Sequence, residues 1–364
     1  MRAAVLTAMP TPVLTPMPTR VLTTKRHGMT LVELMVGVVI GLFLVAVMSS
    51  IYVGSKGTFL AQESTSRLQE NGRFAMDTLA ADLRMSGFRG CLGQVRATQF
   101  TNTLNTPTAV LYDFAQPAWG SHYGGGAWSP ALTAPLSGLA MSTDGDVLVL
   151  RRPNGGGWAL TAEMANANAA MTVTATASLK KGDLLMLADC GGGAVLQATN
   201  DTPGLSGSVE HLVGVGGVTP GVSGTNLGRT FLQDALVWRM QTVAYYLGPS
   251  LRRPGQTALW SYTSPAYDGA ANANELVTGV ERMAVSYGVD TNGDFAADRF
   301  RSADLVADWT QVVSARVELL LVGSEDQVTS SVQPVVFNGQ TITPTDRRLR
   351  TVMSLAASLR NTVP

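Results

Sequence analysis

From Met29 to Val53 the chain runs 25 residues with a single charge, Glu33, and Lys25, Arg26 and His27 stand immediately before it. A helix of that length is about 37 Å at 1.5 Å per residue, long enough to cross a hydrocarbon core. A carboxylate in such a run costs about 2.5–3.5 kcal/mol on insertion scales at the bilayer centre and less near an interface. Glu33 is therefore a functional candidate by default. A plain signal anchor explains the length and the basic flank but not Glu33. A secretory signal peptide has a shorter apolar core, about 7–15 residues, followed by a small-residue cleavage site. Thr30-x-x-Glu33 also fits a capping box, in which the two side chains take each other's free N–H groups at a helix start. The basic flank places the rest of the chain outside the cytoplasm by the positive-inside rule.

The composition suits that placement. The 364 residues carry 26 basic and 26 acidic side chains, so no basic excess points to nucleic acid. Charged residues make up 14 % of the chain, below the usual quarter. With 38 glycines, this describes a β-rich domain with long turns. Two cysteines occur, Cys91 and Cys190. They are either two buried free thiols or a disulfide; an oxidising compartment favours the bond. Closing a loop of about a hundred residues contributes at most ~4–5 kcal/mol in the chain-entropy model.

Residues 1–28 are rich in Pro and Thr and contain a near repeat beginning at Met9 and Met17. Their prolines preclude a stable helix, and either Met is an alternative start. No proline lies between Pro18 and Pro107. After the apolar half, Gly54-Ser55-Lys56-Gly57 leads into a stretch where Phe59, Leu60, Leu68, Phe74, Ala75, Leu79 and Leu83 fall at near-helical spacing among charged residues. That spacing predicts an amphipathic helix, with Gly87 and Gly90 as its stop. The expected organisation is a leader at 1–28, an apolar helix at 29–54, an amphipathic helix at 55–90 and a β-rich head at 91–364. Gly37-x-x-x-Gly41 reads equally as a close helix–helix approach or as glycine tolerated in a membrane helix. Residues 97–140 read as irregular loop. Short strands are expected at 146–151, 171–176, 183–188, 194–198, 236–247, 258–263, 280–289, 312–322 and 332–337. Val313, Ala315, Val317, Leu319 and Leu321 alternate with Ser314, Arg316 and Glu318, as in a half-buried antiparallel strand. The end, from Leu349 to Leu355, is ambiguous between helix and strand spacing.

Two sets of residues carry a family resemblance. Basic residues, Gly28, then an apolar helix with Glu33 as its fifth residue resemble the class III signal of type IV prepilins. Gln69-Glu-Asn-Gly-Arg-Phe-Ala75 and Arg84-Met-Ser-Gly-Phe-Arg-Gly-Cys91 resemble the helix end of PilW-type minor pilins. Asp146-Val-Leu-Val-Leu-Arg151, Ala188-Asp-Cys190, Tyr245-Tyr246, Tyr287-Gly-Val-Asp290 and Asp346-Arg-Arg-Leu-Arg350 follow in the order of that family. The resemblance implies an α+β, pilin-like lollipop, its long N-terminal helix packed on an antiparallel β-rich head. It implies a type IV pilus minor pilin that primes assembly in a tip complex. A prepilin peptidase would cut between Gly28 and Met29 and methylate the new amine. Glu33 would pair with the amine of an adjacent subunit. The implied partners are that peptidase, the other minor pilins, the major pilin and the inner-membrane assembly platform. A minor pseudopilin of a type II secretion system shares the N-terminal signal, and a pilus-borne adhesin head is a further alternative, with Trp119, Trp128 and Trp158 as its aromatic surface.

No catalytic constellation is legible. His27, His122 and His211 are far apart in sequence, and no zinc-protease, serine-hydrolase or phosphate-loop motif occurs. Neither enzyme activity nor a cofactor is expected. Asp290, Asn292 and Asp294, with Asp298 beyond, offer oxygens at alternate positions as calcium loops do. The glycine falls two places early and the twelfth position lacks Glu, so Asn292-Gly293 reads first as a turn between strands.

Overall fold

Thr30 opens the first helix, α1 (Leu31–Met85). Its hydroxyl accepts from Glu33 N at 3.2 Å, and Glu33 Oε2 accepts from Thr30 N at 3.4 Å, the reciprocal capping box that the spacing predicts. The computed structural model describes residues 28–92, 99–175, 178–267, 269–359 and 361. The leader at 1–28 lies outside the described residues apart from Gly28. The chain divides into two units, residues 1–56 and 57–364. In the first, every described residue is exposed, and the helix is long and apolar enough to cross a membrane. An apolar surface on all sides is what a lipid or helix-bundle environment requires.

In the second unit the helix is amphipathic. Leu68, Gly72, Ala75, Leu79 and Leu83 are buried, and their spacing of three and four residues puts them on one stripe. Glu63 and Arg67 pair at 2.7 Å on the outer side. Gly72 lets α1 approach the sheet below: a Cβ there would overlap Met353 Sδ and lie 3.4 Å from Leu321 Cδ1. The helix ends at Met85, short of the predicted residue 90. Gly87 turns to φ 72°, a conformation that costs glycine little and stops the helix. Asn361 Nδ2 then donates to the terminal carbonyls of Arg84 (3.0 Å) and Ser86 (3.2 Å).

The strands, in chain order, are β1 (Phe100–Asn102), β2 (Ala118–Gly124), β3 (Ala127–Ser129), β4 (Val147–Pro153), β5 (Trp158–Ala159) and β6 (Met171–Thr172). Next come β7 (Leu184–Asp189), β8 (Gly192–Gln197), β9 (Ser208–Val209), β10 (Leu236–Pro249), β11 (Thr257–Ser264) and β12 (Ala273–Thr278). The last are β13 (Val280–Val289), β14 (Arg299–Arg301), β15 (Val312–Val322), β16 (Val335–Phe337), β17 (Gln340–Ile342) and β18 (Arg350–Ser358). The larger sheet runs β1-β8-β7-β10-β4-β2-β3, with β11 and β5 also on β10 and β12 on β11. The second runs β14-β13-β15-β18. All these pairs are antiparallel except β1–β8.

The central core joins Leu79 and Leu83 of the helix to Leu148 and Leu150 of β4, Tyr245 of β10 and Leu319 of β15. A second core, with Leu187, Leu196, Phe231 and Val237, lies round β7, β8 and the start of β10.

Several expectations change. Residues 97–140 are not all loop, since β2 pairs with β4. The first four residues of β2 are buried, so no apolar–polar alternation marks it. Among the described residues the strand expected at 171–176 is Met171–Thr172, residue 176 lying outside them, and that at 332–337 is Val335–Phe337. The ambiguous end is a strand, β18, and β12 was not foreseen. The long β13 and β15 have the predicted bounds. The loop at 107–117 is irregular as expected, and two buried arginines hold it. Arg151 donates to Val110 O (2.6 Å) and Gln116 O (2.9 Å), and Arg89 to Phe114 O (3.0 Å) and Ala115 O (2.6 Å). Burial lowers both guanidinium pKa values to about 10.

Candidate functional site

The N-terminal site is built from Gly28, Met29, Thr30 and Glu33, all exposed. A Cβ at Gly28 would meet no atom of the described residues within 4 Å, so no contact among them requires glycine there. Met29 is 68 % exposed. Thr30 Oγ1 also donates to Glu33 Oε2 at 3.5 Å. Besides these neighbours one turn away, Glu33 has no ion pair among the described residues. The arrangement is a carboxylate held at a helix start, where the macrodipole favours negative charge, on a segment otherwise apolar. It can accept a cation brought by another molecule.

At the helix–head junction Cys91 lies in a short 3-10 turn, Gly90–Leu92, and Cys190 in the turn between β7 and β8. They are bonded, with Cα atoms 5.0 Å apart and a sequence separation of 99. Gly90 has φ 65°, and a Cβ on it would lie 2.5 Å from the Trp238 ring; Phe88 meets that ring edge-on at 5.4 Å. The bond therefore ties the segment leaving α1 to the β7–β8 hairpin.

Two polar pairings were not visible in the sequence. Asp82 Oδ1 on α1 forms an ion pair with Arg152, 2.6 Å from its Nε, and Asp82 Oδ2 accepts from the Tyr245 hydroxyl at 2.6 Å. Burial, and then the Asp82 charge, hold the Tyr245 pKa well above the usual phenol value, so the hydroxyl stays a donor. His122 Nδ1 lies 2.7 Å from Asp146 Oδ1, and Asp146 Oδ2 accepts from Val285 N at 2.7 Å. Burial raises the Asp146 pKa against the lowering effect of these bonds. His211 is buried and donates from Nε2 to Thr225 O at 2.9 Å, and burial lowers its pKa.

Asp290, Asn292 and Asp294 occupy the loop joining β13 to β14. It is longer than a two-residue hairpin turn. Asp290 Oδ1 accepts from Asn292 N (3.1 Å) and Gly293 N (2.7 Å), and its Oδ2 from Phe295 N (2.8 Å). Asp298 Oδ2 takes Thr291 N (2.7 Å) and Oγ1 (2.6 Å). The carboxylates thus organise the loop's own amides. Of the three tryptophans, Trp119 is buried against Trp309 with ring centroids 6.0 Å apart, which removes it from any exposed surface. Trp128 meets Tyr123 edge-on at 5.3 Å, and Trp158 is half-buried.

Comparison with known families gives two matches. Residues 244–361 match the family model described as type IV pilus-assembly protein W. Residues 23–49 match the prokaryotic N-terminal methylation motif. The first begins inside β10 and runs past β18; the second contains Gly28, Met29 and Glu33. Neither a curated protein nor a solved structure matches the chain.

Proposed function

We propose that this chain, a PilW-type minor pilin that takes part in type IV pilus assembly, is cut after Gly28 by a prepilin peptidase and methylated on the Met29 amine. It is held in the inner membrane by residues 29–54 and carries its head, residues 91–364, in the periplasm. From there it joins the other minor pilins in the complex that primes the filament and forms its tip. The carrying observation is the chemistry at the helix start. Among the described residues nothing demands glycine at residue 28, which suits an external need for a small residue, as a peptidase's would be. Glu33 is exposed and, among the described residues, has no partner beyond its own capping turn, so the amine of a neighbouring Met29-type terminus supplies the opposite charge. In a dry helical bundle such a pair fixes register as much as it adds energy, because desolvation opposes the attraction. The family match over residues 244–361 favours the pilus over a secretion pseudopilin.

Glu33→Val tests this. Membrane insertion becomes easier and cleavage after Gly28 continues, while recovery of the chain in sheared pili falls. Glu33→Gln keeps an acceptor for Thr30 N but no charge. Loss of incorporation in both variants supports the ion pair. Normal incorporation in both reduces Glu33 to a helix cap.

A further inference from the structure

Sheet edges expose unpaired main-chain groups, and natural proteins guard them by shortness, charge, proline or cover. Most edges here are guarded. β1, β3 and β14 have three residues each, and β14 carries Arg299 and Arg301. β12 bears Glu275, whose carboxylate takes Ser250 Oγ, Leu251 N and Arg252 N. β18 is different. It has nine residues, and from Thr351 to Ser358 there is no charge and no proline.

The register shows which groups face outward. Leu359 N donates to Val313 O at 2.8 Å, and this pair continues the β15–β18 ladder, in which Ser358 faces Ser314 and Ala357 faces Ala315 without a bulge. Opposed residues of an antiparallel pair alternate between exchanging both hydrogen bonds and exchanging none. Ala357, Leu355, Met353 and Thr351 therefore bond to β15. Ser358, Ala356, Ser354 and Val352 turn N–H and C=O to the open side, where none of the described residues pairs with them. The nearby β16–β17 hairpin pairs with itself and is fastened by Asn338 N to Glu318 Oε2 at 3.1 Å. Ser354, Ala356 and Ser358 are exposed and small, so their side chains leave room beside the edge.

We infer that the open edge of β18 is a strand-addition site that takes an extended, uncharged segment from the head of another pilin subunit. The inference rests on the assembly reading above. Only an extended backbone repeats donors and acceptors at the spacing of alternate strand residues. A partner strand with charges directed at Thr351–Ser358 would find no counter-charge there. The stretch matching the pilus-assembly family, residues 244–361, builds this whole sheet and ends just past the open strand.

The test uses the full-length chain in its own membranes with the other pilins present. A photo-crosslinking amino acid is placed at Ala356 or Ser354, and at Phe300 on the opposite edge as control. The expected result is an adduct from residues 354 and 356, but not 300, to a peptide of a different pilin. Ala356→Pro deletes an N–H that none of the described residues uses, so membrane levels should hold while the adduct from residue 354 is lost. Leu355→Pro removes a donor that β15 needs and should lower the level of the chain itself. Adducts only to a second copy of this chain, no adduct from wild-type chain recovered in pili, or an adduct unaffected by Ala356→Pro would each overturn the inference. Failure of the assembly reading is read separately, as absence of the wild-type chain from sheared pili.

Discussion

Tyr245 on β10 donates its hydroxyl hydrogen to Asp82 on α1 at 2.6 Å, beside the core that joins the helix to both sheets. Arg152 on β4 reaches the other carboxylate oxygen. One side chain thus fixes the helix against two strands of the larger sheet, and the cost of removing it depends on what is left behind. Asp82→Ala strands a largely buried guanidinium and a buried hydroxyl and should destabilise the protein by about 3 kcal/mol. Tyr245→Phe removes one hydrogen bond and should cost about 1–2 kcal/mol. Urea unfolding of the full chain in mild detergent measures both. The double variant should cost less than the sum, because the two groups share one contact.

The Cys91–Cys190 bond closes a long stretch of chain containing both β2–β4 and the β7 strand. Non-reducing peptide mapping should recover the linked pair, and Cys190→Ser should cost about 2–5 kcal/mol of stability. The exposed N-terminal helix has no part in the bond, so membrane insertion should be unchanged. Full alkylation of both thiols without reductant would contradict the assignment.

Asp146 sets a pH dependence of known sign. Burial raises its folded pKa, Asp304 adds to the rise, and the Val285 N–H and His122 oppose it. A carboxyl whose folded pKa lies above its unfolded value binds its proton more tightly in the native state. Its contribution to stability is then full below the unfolded value, about 4, and is lost as pH rises through the folded one. Asp146→Asn keeps an acceptor for Val285 N and cannot ionise. The difference in Tm between wild type and this variant should shrink as the pH falls through that window. A difference that is flat with pH would show that Asp146 does not titrate there.

What the sequence discloses depends on how local the physics is. The capping box of Thr30 and Glu33 lies within one turn, and a lone charge in an apolar run stands out whatever surrounds it. β15 declares itself because one face is buried and the other is not, so Ala315, Val317, Leu319 and Leu321 alternate with Ser314, Arg316 and Glu318. β2 is buried on both faces at its start and loses that signal. β18 mixes helix-facing Met353 with small edge residues, so its spacing fits two periods. The Asp82–Arg152, His122–Asp146 and Arg151–Val110 contacts join residues far apart in the chain, and only the strand order brings them together. Cys91 and Cys190 are legible as a pair because there are only two, while the turn geometry that lets them meet is not.

The most direct test of the account is the chemical identity of the N-terminus in assembled filaments. Pili sheared from cells expressing the full gene are digested, and the N-terminal peptide of this chain is identified by mass spectrometry. The expected result is a chain beginning at Met29 with a methyl group on its amine, and loss of that species in Gly28→Val, where a side chain replaces the hydrogen at the cleaved bond. A chain recovered from filaments with the Gly28–Met29 bond intact would contradict it.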